Sequence, residues 1–196
     1  MRTLMVVLVA LTCVVVAADD PPIRKTPQDP QAKFEPKSTP GVGQKYLESF
    51  VGEWDVAKAF YPRTGEPARS QGRCRQTMIH QGRFLQSDFN FGEGDKASDG
   101  RGIIGFEPET GIFTSFWTDS RQTSMSVRRS RDRFDGEQIV LYSKSLDETA
   151  KETRRSKTIS RVEDRGQKIV HQQFAITPEG ERLMMELVMT RKPETR

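Results

Sequence analysis

Cysteine is nearly missing from this chain, at 2 in 196 residues, Cys13 and Cys74. Cys13 lies in an N-terminal leader, so Cys74 is left alone in the mature chain. No intramolecular disulfide can then form, and the core alone must hold the fold, even in an oxidising compartment. Cys74 reads as a small packed residue on a strand. Histidine is equally scarce, with only His80 and His171. A haem or metal site would need one of them at an open position, but His80 lies at a turn and His171 among Lys168, Gln172 and Gln173, the setting of solvated strand residues. There is no Gly-x-Ser-x-Gly or other nucleophile, base and orienter arrangement. No catalytic residue, metal ligand set or cofactor is therefore expected, and an enzyme is the reading the sequence supports least. A one-signed charge block is missing too: 31 basic and 27 acidic residues are interleaved and leave a net +4. A mildly basic surface of that kind is weak evidence for any polyanion, and export argues against nucleic acid.

Residues 1–18 read as a secretory signal peptide. Arg2 gives the positive start, Leu4 to Val16 the apolar run, and Val16-Ala17-Ala18 a small-residue cleavage site before Asp19. As a membrane span the run is short: about 15 residues rise about 22 Å against a hydrocarbon core of about 30 Å. The mature chain is expected to begin at Asp19, to be exported to the periplasm, cell envelope or medium, and to carry no membrane span.

Residues 19–43, rich in proline and charge and poor in large apolar side chains, cannot offset the entropy of ordering and read as a disordered tether. Gln44 to Val51 then sets Tyr46, Leu47, Phe50 and Val51 on one side of a short helix. From Gly52 onward turn chemistry recurs every ten to fifteen residues: Pro62 to Pro67, Gln81-Gly82, Gly92 to Gly100, Pro108 to Gly111, around Ser120, Asp132 to Gly136, Asp147 to Lys151, Asp164 to Gly166, and Pro178 to Gly180. The clearest reversal is Arg101 to Asp119, where Pro108 pre-sets a turn that Gly111 closes between two apolar runs. That hairpin is expected at the middle of the fold, covered on both faces over part of its length. Nine breaks separate ten strands. Short connections make successive strands antiparallel neighbours, and a ten-strand meander hides its edges most simply by closing. The expected fold is an all-β, up-and-down closed barrel of about ten strands with one short N-terminal helix, spanning 44–192, followed by a flexible tail at 193–196. Arg69, Gln71, Arg73 and Arg75 make one row of the second strand polar, which excludes a lipid-facing outer-membrane barrel. Several strands lack a wholly apolar row, and ten strands enclose more space than the eight that side chains just fill, so a partly polar cavity follows.

Gly52-Glu53-Trp54 after the short helix resembles the Gly-x-Trp start of the lipocalin and fatty-acid-binding group. Phe50 to Trp54, Gly82-Arg83-Phe84-Leu85, Gly102 to Phe106, Trp117 to Ser120 and Met189 to Lys192, in this order and spacing, resemble the bacterial domain-of-unknown-function family 1579 over Lys45 to Lys192. The resemblance implies a lipocalin-like barrel and no particular activity. Phe106 stands where that family usually has tyrosine.

Gly52 and Trp54 are expected to form the barrel floor under the helix. The candidate ligand-binding residues are Arg83, Phe84, Trp117 and Asp119. Trp117 and Asp119 share a strand face with Phe113 and Ser115; were that row inward, Arg83 would be the countercharge of Asp119. The leading expectation is a monomeric, non-catalytic binder of a small amphipathic or apolar molecule. The alternative is an envelope interaction protein with a filled barrel, using a basic strand face made of Arg121, Arg128, Arg129, Arg131, Arg133, Arg154, Arg155 and Lys157.

Overall fold

The computed structural model describes residues 29–145 and 154–193. The expected leader, the first part of the tether, the turn at Asp147 to Lys151 and the last three residues of the tail lie outside these. The chain divides into two units, Met1–Lys37 and Ser38–Arg196. In the described part of the first, a short turn-rich segment, Lys37 Nζ lies 3.1 Å from Asp29. The second is the barrel.

Helix α1 (Val42–Glu48) starts two residues before the expected tether boundary. The reason lies in the packing. Gly43 has no Cβ, which would collide with the Phe106 ring, and Gln44 bonds in both directions. Its Oε1 accepts from Gly41 N at 2.7 Å and its Nε2 donates to Phe106 O at 2.7 Å. Leu47 and Phe50 go fully into the core, whereas Tyr46 keeps its hydroxyl outside, donating to Glu137 O at 2.7 Å.

Ten strands follow: β1 (Gly52–Phe60), β2 (Ala68–Ile79), β3 (Phe84–Phe91), β4 (Ser98–Glu107), β5 (Ile112–Asp119), β6 (Ser126–Arg129), β7 (Ile139–Ser145), β8 (Arg154–Glu163), β9 (Lys168–Thr177) and β10 (Gly180–Arg191). Each pairs antiparallel with its sequence neighbours, and β1 pairs with β10 to close the barrel. Closure leaves no free edge. It also means that no hairpin is central: β4 and β5 are two staves of the wall, not the middle of the fold. The weakest seam is between β6 and β7, joined by the single pair Arg129 and Tyr142.

Strand alternation separates inside from outside. Trp54, Val56, Cys74, Leu85, Phe89 and Phe113 are buried, while Arg69, Gln71, Arg73 and Arg75 are exposed, so the outer face of β2 is polar. Burial pushes the Cys74 thiol well above its usual range, with the nearby Asp88 charge adding to it, so this thiol stays protonated. No described helix is long and apolar enough to cross a membrane.

In an up-and-down barrel the parity of a strand fixes which end each of its residues occupies. The start of β1, the turns after β2, β4, β6 and β8, and α1 all lie at one end, the floor. The described turns after β1, β3, β5 and β9 lie at the other, the mouth. At the floor, Phe106, Phe113 and Phe134 pack ring on ring, with centroids 4.8 to 6.3 Å apart.

Candidate functional site

The floor is built around Trp54. Its ring is fully buried, its Nε1 donates to Phe50 O at 3.0 Å, and the guanidinium of Arg191 sits 4.2 Å from the ring centroid. Arg191 in turn donates to three carbonyls: Nε to Gly166 at 2.7 Å, Nη1 to Val51 at 2.6 Å and Nη2 to Ser49 at 3.1 Å. Gly52, at φ 142°, adopts a backbone that other residues avoid, and a Cβ there would strike Arg191. This constellation ties helix, first strand and last strand together, and it has no free polar group to offer a ligand.

Above the floor lies a cavity of about 370 Å³. Its lining runs from Leu47 and Phe50 at the floor to Asp119, Arg121 and Gln122 at the mouth. The wall carries apolar side chains at Leu85, Phe89, Ile104, Trp117, Met185 and Leu187. Trp117 lies edge-on to Phe89, centroids 5.5 Å apart, and rests on Gly100, where a Cβ would collide with the indole. Polar side chains stand among these, Ser87 between Leu85 and Phe89 on β3 and His171 across the ladder from Leu187. Gln76 Nε2 donates to Ser87 Oγ at 2.9 Å, leaving Gln76 Oε1 buried without a partner. Ser160 Oγ and His171 Nδ1 share a hydrogen bond at 2.7 Å. Arg128, inward on β6 opposite Ser115, has a buried Nε with no partner.

Burial first, and the Arg128 charge second, lower the His171 pKa to about 4, so this imidazole is neutral near neutral pH. The contact with Ser160 resembles half of a hydrolytic pair. An effective general base, however, titrates near the working pH and is oriented by a third group, and no carboxylate among the described residues bonds this ring. The pair is better equipped to hold a ligand than to activate a nucleophile. Among the described residues, no three His, Cys, Asp or Glu side chains gather to hold a metal ion.

The four residues singled out as ligand-binding candidates do not form one site. Trp117 and Asp119 line the cavity in the same row as Phe113 and Ser115. Trp117 Nε1 donates to Asp119 Oδ2 at 2.9 Å, which also accepts from Gln122 Nε2 at 3.1 Å, while Asp119 Oδ1 accepts from Arg121 N at 2.9 Å. Desolvation works against the charged form of Asp119. The bonds from Trp117, the Arg121 backbone and Gln122, with the Lys58 charge, outweigh it and hold the carboxyl below its usual range. Arg83 is not the countercharge. It lies in the turn between β2 and β3, at the floor end, and donates to His80 O at 3.3 Å, Gln81 Oε1 at 3.4 Å and Ser38 O at 3.0 Å. Phe84, at the floor end of β3, points outward at 39 % exposure, over Gly105 and edge-on to His80. The reason is parity: Arg83 precedes β3 at the floor, and Asp119 ends β5 at the mouth.

Two further expectations need correction. His171 is not a solvated strand residue, because its row on β9 faces the cavity. The basic run is not one face either. Arg121 and Arg128 line the cavity, Arg129 pairs with Glu107 at 3.0 Å, Arg131 lies 3.9 Å from the Tyr142 ring centroid, Arg133 donates to Glu109 O, and Lys157 pairs with Glu181. Arg128, His171 and Gln76 are the site residues that sequence reasoning missed.

A closed meander plugged at one end by a short helix, with a Gly-x-Trp start and a cavity opening toward the other end, defines a lipocalin-like barrel. The chain belongs to the family described as Protein of unknown function (DUF1579), whose model matches residues 39–191. It is similar in structure to Rv2717c from M. tuberculosis, known from a crystal structure. The TM-score is 0.57 at 14 % identity, and the match covers 80 % of this chain and 100 % of that one, a likeness of fold alone. No curated protein matches the chain in sequence.

Proposed function

We propose that this chain is an exported, monomeric, non-catalytic binder that holds one small amphipathic or apolar molecule inside its barrel. The observation that carries the reading is the mixed lining of the 370 Å³ cavity, apolar at Phe89, Trp117 and Leu187 and polar at Gln76, Ser87 and His171. Ligand sites occupy about 300 to 1,000 Å³ and combine an apolar lining with a few convergent polar groups. A barrel filled by its own side chains would offer neither the space nor the unpartnered atoms Gln76 Oε1 and Arg128 Nε. Export is supported by the leader text before Asp19. The alternative, contact with envelope components through a basic face, is weakened because Arg121 and Arg128 line the cavity and Arg129, Arg131 and Arg133 meet local partners.

Native mass spectrometry of protein purified from its own source tests the proposal. The expected species is a single mature chain beginning at Asp19 that carries one small molecule released by organic solvent. A bare chain that also fails to take up the neutral apolar probe N-phenyl-1-naphthylamine would overturn it.

A further inference from the structure

Resting on the reading of the cavity as a ligand site, we infer that its occupant is an organic oxyanion, a carboxylate, sulfonate or phosphate monoester on an apolar body, whose head pairs with Arg128. Three outward arginines of this chain meet carboxylates. Arg101 meets Asp88 at 2.5 Å, Arg129 meets Glu107 at 3.0 Å, and Arg161 meets Glu163 at 2.7 Å, all near the outer surface. Arg128 differs from its neighbour Arg129 only in pointing the other way, and among the described residues no carboxylate pairs with it.

An inward guanidinium without a countercharge is costly, since taking a charge from water is repaid only by good partners. Burial alone lowers the Arg128 pKa, with no opposite charge to offset it. The surroundings match an anionic guest. Ser115 lies across the ladder from Arg128, and the neutral His171, bonded through Nδ1 to Ser160, adds a polar edge without adding charge. The carboxylates in the lining, Asp99 and Asp119, are at the mouth, and Asp119 is already engaged by three donors. The planar fork of arginine binds carboxylate and phosphate oxygens in pairs, and Phe89 and Trp117 supply apolar wall for the body of such a molecule.

The test compares two probes with the same phenylnaphthylamine frame on the full mature chain: 1-anilinonaphthalene-8-sulfonate, an anion, and N-phenyl-1-naphthylamine, which is neutral. The wild type is expected to prefer the sulfonate by about tenfold or more, and Arg128→Met to lose that preference. Equal affinity of the wild type for both probes, or undiminished sulfonate binding by a folded Arg128→Met, would overturn the inference while leaving the cavity reading in place. Binding of neither probe would overturn both. A second measurement needs no variant: octanoate or octyl phosphate should displace the bound sulfonate at concentrations about tenfold below those of octanol. Displacement by octanol at the same concentrations would count against an anionic head, and the more effective of the two anions identifies the oxyanion.

Discussion

Arg191 and Arg128 are both inward-facing arginines of one barrel wall, and they have opposite surroundings. Arg191, at the floor, bonds three carbonyls and covers the Trp54 ring. Arg128, in the cavity wall, leaves a buried Nε with nothing to bond. The floor is thus satisfied within the chain, whereas the cavity wall keeps a buried polar atom that the described residues leave without a partner. Buried polar groups in folded proteins are nearly always satisfied, so an exception points to strain, bound water or a guest. The contrast separates what holds the fold from what is available for binding.

The comparison breaks first at the floor. Arg191→Met should cost about 3 to 5 kcal/mol, because three carbonyls lose their donor and the helix loses its tie to β1 and β10. Urea unfolding measures it, and a loss below about 1 kcal/mol would mean that the floor is not the structural anchor. Next is pH. The folded His171 pKa, about 4, is below its ordinary 6.5, so the unfolded chain takes up the proton first as acid is added. The contribution is complete above pH 6.5 and falls as pH drops toward 4, by no more than about 3 kcal/mol. His171→Gln should flatten that part of the pH profile.

Smaller effects sharpen the same contrast at the mouth. Asp119→Asn should lose about 1 kcal/mol, the value of hydrogen bonds to a carboxylate at a partly wet site, and Arg83→Ala about 0.5 kcal/mol or less. Coupling between the two substitutions in a double-mutant cycle should be absent, since the residues sit at opposite ends of the barrel. The sign reverses at Arg128→Met, which removes a partly buried charge that no carboxylate among the described residues pairs. Its unfolding free energy should lie between unchanged and about 1 kcal/mol higher.

The strands were legible because their punctuation is chemical. Pro108 and Gly111, Gln81-Gly82, Asp164 to Gly166 and Gly180 mark reversals, and several of these residues take the positive φ that turns need. That Trp117 and Asp119 share one face of β5 was legible from period alone. Joining Arg83 to Asp119 failed because both lie beside aromatic residues in motif text, and adjacency in motif is not adjacency in space. Counting strand directions separates them, since a start of β3 and an end of β5 cannot share a rim. Arg128 was harder. Strand β6 is Ser126, Val127, Arg128 and Arg129, a four-residue segment with arginines on both faces, and only its register against Ser115 decides which of them enters the barrel. His171 was hidden in the same way: Lys168, Gln172 and Gln173 make polar text around a strand whose inner row faces a cavity instead of an apolar core.

The proposed function requires that the barrel enclose a usable binding space. Ser115 lines the middle of that space, between the Phe113 ring at the floor and Trp117 nearer the mouth. Titration of N-phenyl-1-naphthylamine into the wild type and into Ser115→Trp, with circular dichroism confirming that both are folded, tests the claim most directly. The account predicts saturable binding of one probe per wild-type chain and affinity lower by about tenfold or more when the indole fills the cavity. Equal binding by the two proteins would place the probe outside the barrel and contradict the claim.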